Sequence, residues 1–276
     1  MVINDLKIVL EKNKSIQNKV YLRNLLKEVL QVYVLNFIYT NPEYKDLIFT
    51  GGTCLRKFYS LNRVSEDLDF DIEGKDFNYE KFQKDLEKYF VSNMQYKQMS
   101  TKYKNKTIFL KFPVLREIGF SGPNDSEILM LRLDFSKSFS KSCKTTTHLF
   151  SSYNYNFIVK SYDFPTLMAN KVTAFLTRTF RKGDSQKESF KGRDAFDLVW
   201  MLDGTRNKDG INMNRISDML KIKDKEDLKK EILKKAKKIS SKDLYFDIRN
   251  FFAEEKFVKE FSDNFYKILN SSIKYL

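Results

Sequence analysis

Two aspartates two residues apart, Asp67 and Asp69, stand in the run Arg63-Val64-Ser65-Glu66-Asp67-Leu68-Asp69-Phe70. Alternate residues of a β-strand point to the same side. This spacing therefore sets two carboxylates side by side, about 7 Å apart, while Leu68 and Phe70 turn to a core. Two such anions repel each other and call for a cation. Mg2+ is hard, takes oxygen ligands and is commonly shared with substrate phosphates. Asp134 suits the third position. In Leu131-Arg132-Leu133-Asp134-Phe135 the apolar residues take one face and leave Asp134 and Arg132 on the other. Three carboxylates from two strands can hold two cations, one activating an attacking hydroxyl and one stabilising a leaving pyrophosphate. An ordinary acidic strand edge explains the same spacing equally well. Asp71 shares the parity but lies at the strand end before Glu73 and Gly74, and is read as solvated or as supporting the others.

A second feature lies just upstream. Phe49-Thr50-Gly51-Gly52-Thr53 reads as a strand, a tight glycine turn and a helix start. Glycines let backbone N–H groups approach a phosphate closely, and the new helix points its N-terminus at the anion. Thr53 can add a hydroxyl donor. The pattern is neither the lysine-bearing ATPase loop nor the dinucleotide fingerprint. Arg63 and Ser65 can hold a triphosphate, or can equally cap and salt-bridge the turn.

Further along, Lys171 sits in an otherwise apolar helical run and shares a face with Arg178, seven residues on. Lys171 suits a phosphate contact or a salt bridge equally. In Lys191-Gly192-Arg193-Asp194-Ala195-Phe196-Asp197, Arg193 can reach a phosphate, Asp194 can orient Lys171, and Asp197 is expected to cap or pair locally. His148, the single histidine, excludes a histidine-rich metal site and is expected in a surface loop.

These side chains need elements to hold them. Apolar residues from Val20 to Phe37 recur at helical spacing until Asn41-Pro42. A short strand over 46–50 leads into the glycine turn and a helix carrying Leu55 and Phe58. Leu68, Phe70 and Ile72 alternate with acids as a strand. A helix over 79–90 follows, then strands over 94–102, 107–114, 128–136 and 154–160. Pro165 starts a helix running to about Phe180. Beyond Arg193 only helices are predicted, including a basic one over 225–238 that can track a nucleic-acid backbone, and aromatic-rich ones over 244–252 and 257–268. The fold class is α/β (α+β): a mixed-sheet catalytic lobe over 1–163 with an N-terminal helix, then a helical lobe over 164–276 completing the active-site cleft.

Composition bounds the function. The 276 residues carry a net charge of +14, and 42% are hydrophobic. The core is sizeable, and the field attracts nucleic acid, nucleotides or anionic membranes, although solvated lysines account for the charge as well. Cys54 and Cys143 make neither a disulfide framework nor a thiolate metal site. Asp5, Lys7 and Glu11 break up any signal peptide, and Arg23, Lys27 and Glu28 interrupt the longest apolar stretch. A cytoplasmic protein without membrane contact, and a monomer, is expected.

Taken together, the segments over 51–55, 63–70, 171–178 and 191–198 resemble the AbiEii/AbiGii toxin family of nucleotidyltransferases. The Arg-Val-Ser-Glu-Asp-Leu-Asp and Arg-Asp-Ala-Phe-Asp-Leu runs are specific in combination. The resemblance implies a nucleotidyltransferase-like fold with a helical extension, a toxin opposed by a separately encoded antitoxin, and transfer of nucleotides from a nucleoside triphosphate to the acceptor end of tRNA. It implies Mg2+ on Asp67 and Asp69, and Asp134 as third carboxylate and base. Gly51, Gly52 and Thr53 would handle triphosphate, and Lys171 and Asp194 would complete the nucleotide end of the pocket. Arg193 would neighbour them; Arg63, Ser65, Arg178 and Arg193 are candidate nucleotide contacts on their own positions rather than by the resemblance. A protein or small-molecule acceptor, or an inactive RNA- or protein-binding module, are the rival expectations.

Overall fold

Helical periodicity near the N-terminus resolves into two helices, α1 (Val2–Lys12) and α2 (Lys19–Thr40). The Asn18 side chain accepts from the N–H groups of Val20 and Tyr21, which satisfies donors that a first helical turn leaves open. Asn41, in extended backbone before Pro42, ends α2. Every residue from Val29 to Leu35 is buried, so this stretch is enclosed on all sides rather than amphipathic. Buried Gln31 spends its amide on the Ser65 carbonyl, 2.8 Å away. The computed structural model describes residues 2–74, 77–178, 180–181 and 188–276.

One seven-stranded mixed sheet is built from β1 (Ile48–Thr50), β2 (Asp67–Asp71), β3 (Ser100–Lys104), β4 (Thr107–Pro113), β5 (Ile128–Ser136), β6 (Thr145–Ser152) and β7 (Tyr155–Tyr162). Its order is β3-β4-β5-β2-β1-β7-β6. Strand β2 runs parallel to β5 and antiparallel to β1. Alternation decides which side is core: Leu131, Leu133, Leu68, Ile108 and Leu110 are all fully buried. Helix α3 (Gly51–Tyr59) follows β1 directly, and α4 (Tyr79–Lys88) continues through a π-turn at Tyr89–Asn93. Because that turn and the loop after it take up 94–99, β3 starts later than the alternation predicts.

Strand β6 was not expected. Its Thr-Thr-Thr-His-Leu-Phe-Ser-Ser run has little apolar alternation, yet it forms an edge of the sheet. Helix α1 was likewise not anticipated as a separate element.

The chain divides into two compact units, Met1–Phe139 with Thr145–Ser161, and Ser140–Lys144 with Tyr162–Leu276. The first is the mixed α/β lobe just described. The second is helical: α5 (Phe164–Thr177), α6 (Gly192–Met201), α7 (Met213–Leu220), α8 (Lys225–Ala236), α9 (Ser241–Ile248) and α10 (Glu255–Ser272), plus a two-residue strand pair at Phe180–Arg181 and Glu188–Ser189. Asp163 caps α5 by accepting from the Thr166 N–H, with Pro165 in the first turn. The helix stops at Thr177, short of the expected 180, because Arg178 is extended at ψ 120°. Phe196 of α6 packs against Phe252, Phe257 and Phe261. A Cβ on Gly192 would lie 2.8 Å from Ile248, so glycine there is what lets α6 approach α9. Helix α7 was missed in the sequence. Among the described residues no helix is long and apolar enough to cross a membrane.

Candidate active site

The parallel ladder of β2 and β5 places Asp69 opposite Asp134 and Asp67 opposite Arg132. All four side chains share one face and are partly accessible, while Leu68, Phe70, Leu133 and Phe135 fill the other side. The three predicted carboxylates are thus brought to one patch of sheet. Thr107, the first residue of β4, faces Asp134 from the other flank, and its hydroxyl donates to Asp134 Oδ1 at 2.6 Å. Thr107 was missed in the sequence. Its signal was the tight hairpin at Asn105-Lys106, where both residues take positive φ.

Arg132 lies between the acids. Its Nη2 donates to Asp67 Oδ2 at 2.7 Å, and its Nε is 2.9 Å from Asp134 Oδ2. Burial disfavours its charge, but Asp67, Asp134, Asp69 and Glu66 outweigh burial and raise its pKa. Among the described residues no group of three or more His, Cys, Asp or Glu side chains is gathered as a metal cage. Three carboxylates nonetheless stand at neighbouring positions on one face, the oxygen donors that a hard divalent cation takes, with the Arg132 guanidinium lying between two of them.

The glycine turn abuts this patch. Thr50 pairs with Asp69 across β1 and β2, and the chain turns at once into α3. Gly51 has φ +78°, and a Cβ there would sit 2.0 Å from Asp69 Oδ2. A Cβ on Gly52 would lie 2.6 Å from Arg63 Nη2. The two glycines therefore let Asp69 and Arg63 close on the backbone. Thr50 gives α3 no side-chain cap, and the N–H groups of a helix's first turn favour an anion.

The other turn residues face inward. Thr53 is fully buried; its hydroxyl donates to the Asp67 carbonyl and shares a 2.8 Å hydrogen bond with Ser65. Ser65 and Arg63 are also buried. The Ser65 N–H reaches Glu28, and Arg63 Nη1 donates to the Val64 carbonyl at 2.9 Å. As placed, these three brace α3 against β2.

Three expectations need correction. Asp71 is not solvated: it is 3% exposed and takes a hydrogen bond from Ser136, with β1 and β5 flanking it on both sides. His148 lies on strand β6, not in a loop. It stacks on Phe58 at 4.6 Å and shares a 3.1 Å hydrogen bond with Ser161, and burial lowers its pKa. Asp197 pairs across helices rather than locally.

That pairing belongs to the helical unit. Lys171 Nζ is 2.6 Å from Asp197 Oδ2 and 3.2 Å from Asp194 Oδ1, and Arg178 Nη1 is 2.8 Å from Asp194 Oδ2. Both carboxylates are buried, whereas Arg178 remains half exposed. Arg193 stacks over Phe251 at 4.6 Å.

The family model for the nucleotidyl transferase AbiEii toxin of type IV toxin–antitoxin systems matches residues 36–271. The chain belongs to the AbiEii family. The match takes in the carboxylate strands, the glycine turn and most of the helical unit. Two Helicobacter pylori crystal structures are similar to it. One, assigned as a nucleotidyltransferase, is 16% identical, with 91% of this chain and 94% of that chain covered and a TM-score of 0.48. The other, JHP933, is 15% identical, with 91% and 92% covered and a TM-score of 0.46. No curated protein matches.

Proposed function

We propose that this AbiEii-family chain is a Mg2+-dependent nucleotidyltransferase toxin that acts in the cytoplasm. It takes nucleotides from a nucleoside triphosphate and adds them to RNA, at the acceptor end of tRNA, which blocks translation; a separately encoded antitoxin opposes it. The observation that carries this reading is the meeting of Asp69 and Asp134 in register, with Gly51 packed against Asp69. Carboxylates beside a helix N-terminus suit a triphosphate and its cations.

Asp67 and Asp69, with Asp134 as third carboxylate, would hold Mg2+, and Asp134 would take the proton of the acceptor hydroxyl. When bound, Mg2+ supplies the charge that activates the hydroxyl and neutralises the leaving group. The N–H groups at Gly51 and Gly52 steady the phosphates. A P–O bond forms from the RNA hydroxyl to the α-phosphorus, the bond to the β-phosphate breaks, and pyrophosphate departs. Thr53, Ser65 and Arg63 act by fixing the turn. Lys171 and Asp194 are assigned to nucleotide handling by the family pattern, with Arg178 and Arg193 beside them.

Labelled nucleoside triphosphates, each incubated with Mg2+ and a mixture of cellular RNA and protein, test the reading. Label should enter the tRNA fraction with wild-type protein and not with Asp69→Asn. Label in protein would move the acceptor, and label nowhere would remove the enzymatic reading.

A further inference from the structure

We propose that Arg132 is a built-in counter-ion of the carboxylate face, one that divalent cations must displace. This inference rests on the reading of Asp67, Asp69 and Asp134 as the cation ligands. Arg132 rises beside Asp67 and reaches up the face to Asp134, so one guanidinium spans two of the three acids. It claims Oδ2 of both residues, and the remaining Asp134 oxygen is taken by Thr107. A cation entering here competes for the same lone pairs.

The contact is also built to give way. Arginine stays charged at all relevant pH, so it can leave only by moving, and its side chain is 40% exposed. Among the described residues the enclosed Nε–H finds no aligned hydrogen bond, although Asp134 is 2.9 Å away. The guanidinium's two close carboxylate contacts among the described residues are one aligned bond, to Asp67, and one misaligned contact, to Asp134. Removing it leaves three neighbouring anions whose repulsion a cation relieves, so the cation gains affinity while the metal-free protein loses stability.

The test is titration of the full chain with Mn2+ alone, followed by calorimetry or by the signal of free Mn2+, for wild type, Arg132→Gln, Arg132→Lys and Asp69→Asn. Arg132→Gln should bind Mn2+ on the order of tenfold more tightly. Its melting temperature should be lower without metal and should rise further on adding it. Arg132→Lys, still charged but unable to span both acids, should fall between, and it keeps the test open if the glutamine variant folds poorly. Equal or weaker binding by both Arg132 variants, with Asp69→Asn abolishing binding, would overturn the counter-ion while leaving the cation site standing. No binding by wild type and Arg132→Gln alike would overturn the cation site and this inference together.

Discussion

At the scale of single residues, the account turns on how tightly Asp69 is held. Gly51 has a positive φ and no room for a methyl group beside Asp69. Gly51→Ala should therefore push the carboxylate aside and strain the turn. We expect a loss of about 1–3 kcal/mol in stability and a fall of at least about a hundredfold in transfer rate, since a misplacement near 1 Å has that effect. A variant with wild-type turnover would show that this contact does not matter to the chemistry. Thr107→Val removes the donor to Asp134 without changing bulk. It should lower kcat about tenfold while leaving KM for the triphosphate near its wild-type value; a change confined to KM would assign Thr107 to binding instead. Lys57 offers a pH test apart from the site. Burial, opposed by Glu28 and reinforced by Arg56, lowers its pKa to about 8. Its folded value lies below its unfolded value, so the cost is full below about pH 8 and is relieved as pH rises toward the ordinary lysine range. Melting temperatures of Lys57→Met relative to wild type should show a gain at pH 7 that shrinks above pH 8; a gain independent of pH would rule out titration of Lys57 as its source.

At the scale of elements, the period-two pattern made the carboxylate strands legible: Asp67, Asp69 and Asp134 were placed on polar faces by their apolar neighbours alone. What alternation cannot give is register. Only the β2–β5 ladder shows that Arg132 stands opposite Asp67, and only the β4–β5 ladder that Thr107 reaches Asp134. Strand β6 escaped because serine and threonine dominate it, and Asp71 was misjudged because strand position says nothing of what covers the end. Helix α8 shows a related limit. Its lysines suggested a backbone-tracking face, but Lys229, Lys230 and Lys234 pair with acids three residues earlier. Lys235 donates to the Leu176 and Arg178 carbonyls at the end of α5. Lys237 and Lys238, just past the helix, are exposed. Changing both to Glu should flatten the salt dependence of RNA binding by about two units of log–log slope or more, whereas Lys235→Glu should act mainly on stability. An unchanged slope in the double variant would remove this end of α8 from RNA contact. The cluster joining α5 to α6 is also structural in part. Lys171→Met withdraws the ammonium that two buried carboxylates share and should cost about 3–5 kcal/mol by chemical denaturation. A loss below about 1 kcal/mol would show that the cluster does little for the fold.

At the scale of the whole molecule, a net charge of +14 gives any polyanion a favourable approach but names none. The family match over residues 36–271 supplies the nucleotidyl-transfer context, and the proposed chemistry is assigned to the carboxylate face beside the glycine turn. Those two lines meet in one claim, that RNA leaves this protein longer than it arrived. The most direct measurement is the intact mass of purified tRNA after incubation with Mg2+ and each nucleoside triphosphate, beside Asp67→Ala and Asp134→Asn controls. The account predicts added mass in steps of one nucleotide residue with wild-type protein and unchanged mass with either variant. Shortened tRNA, or equal extension by wild type and both variants, would contradict it.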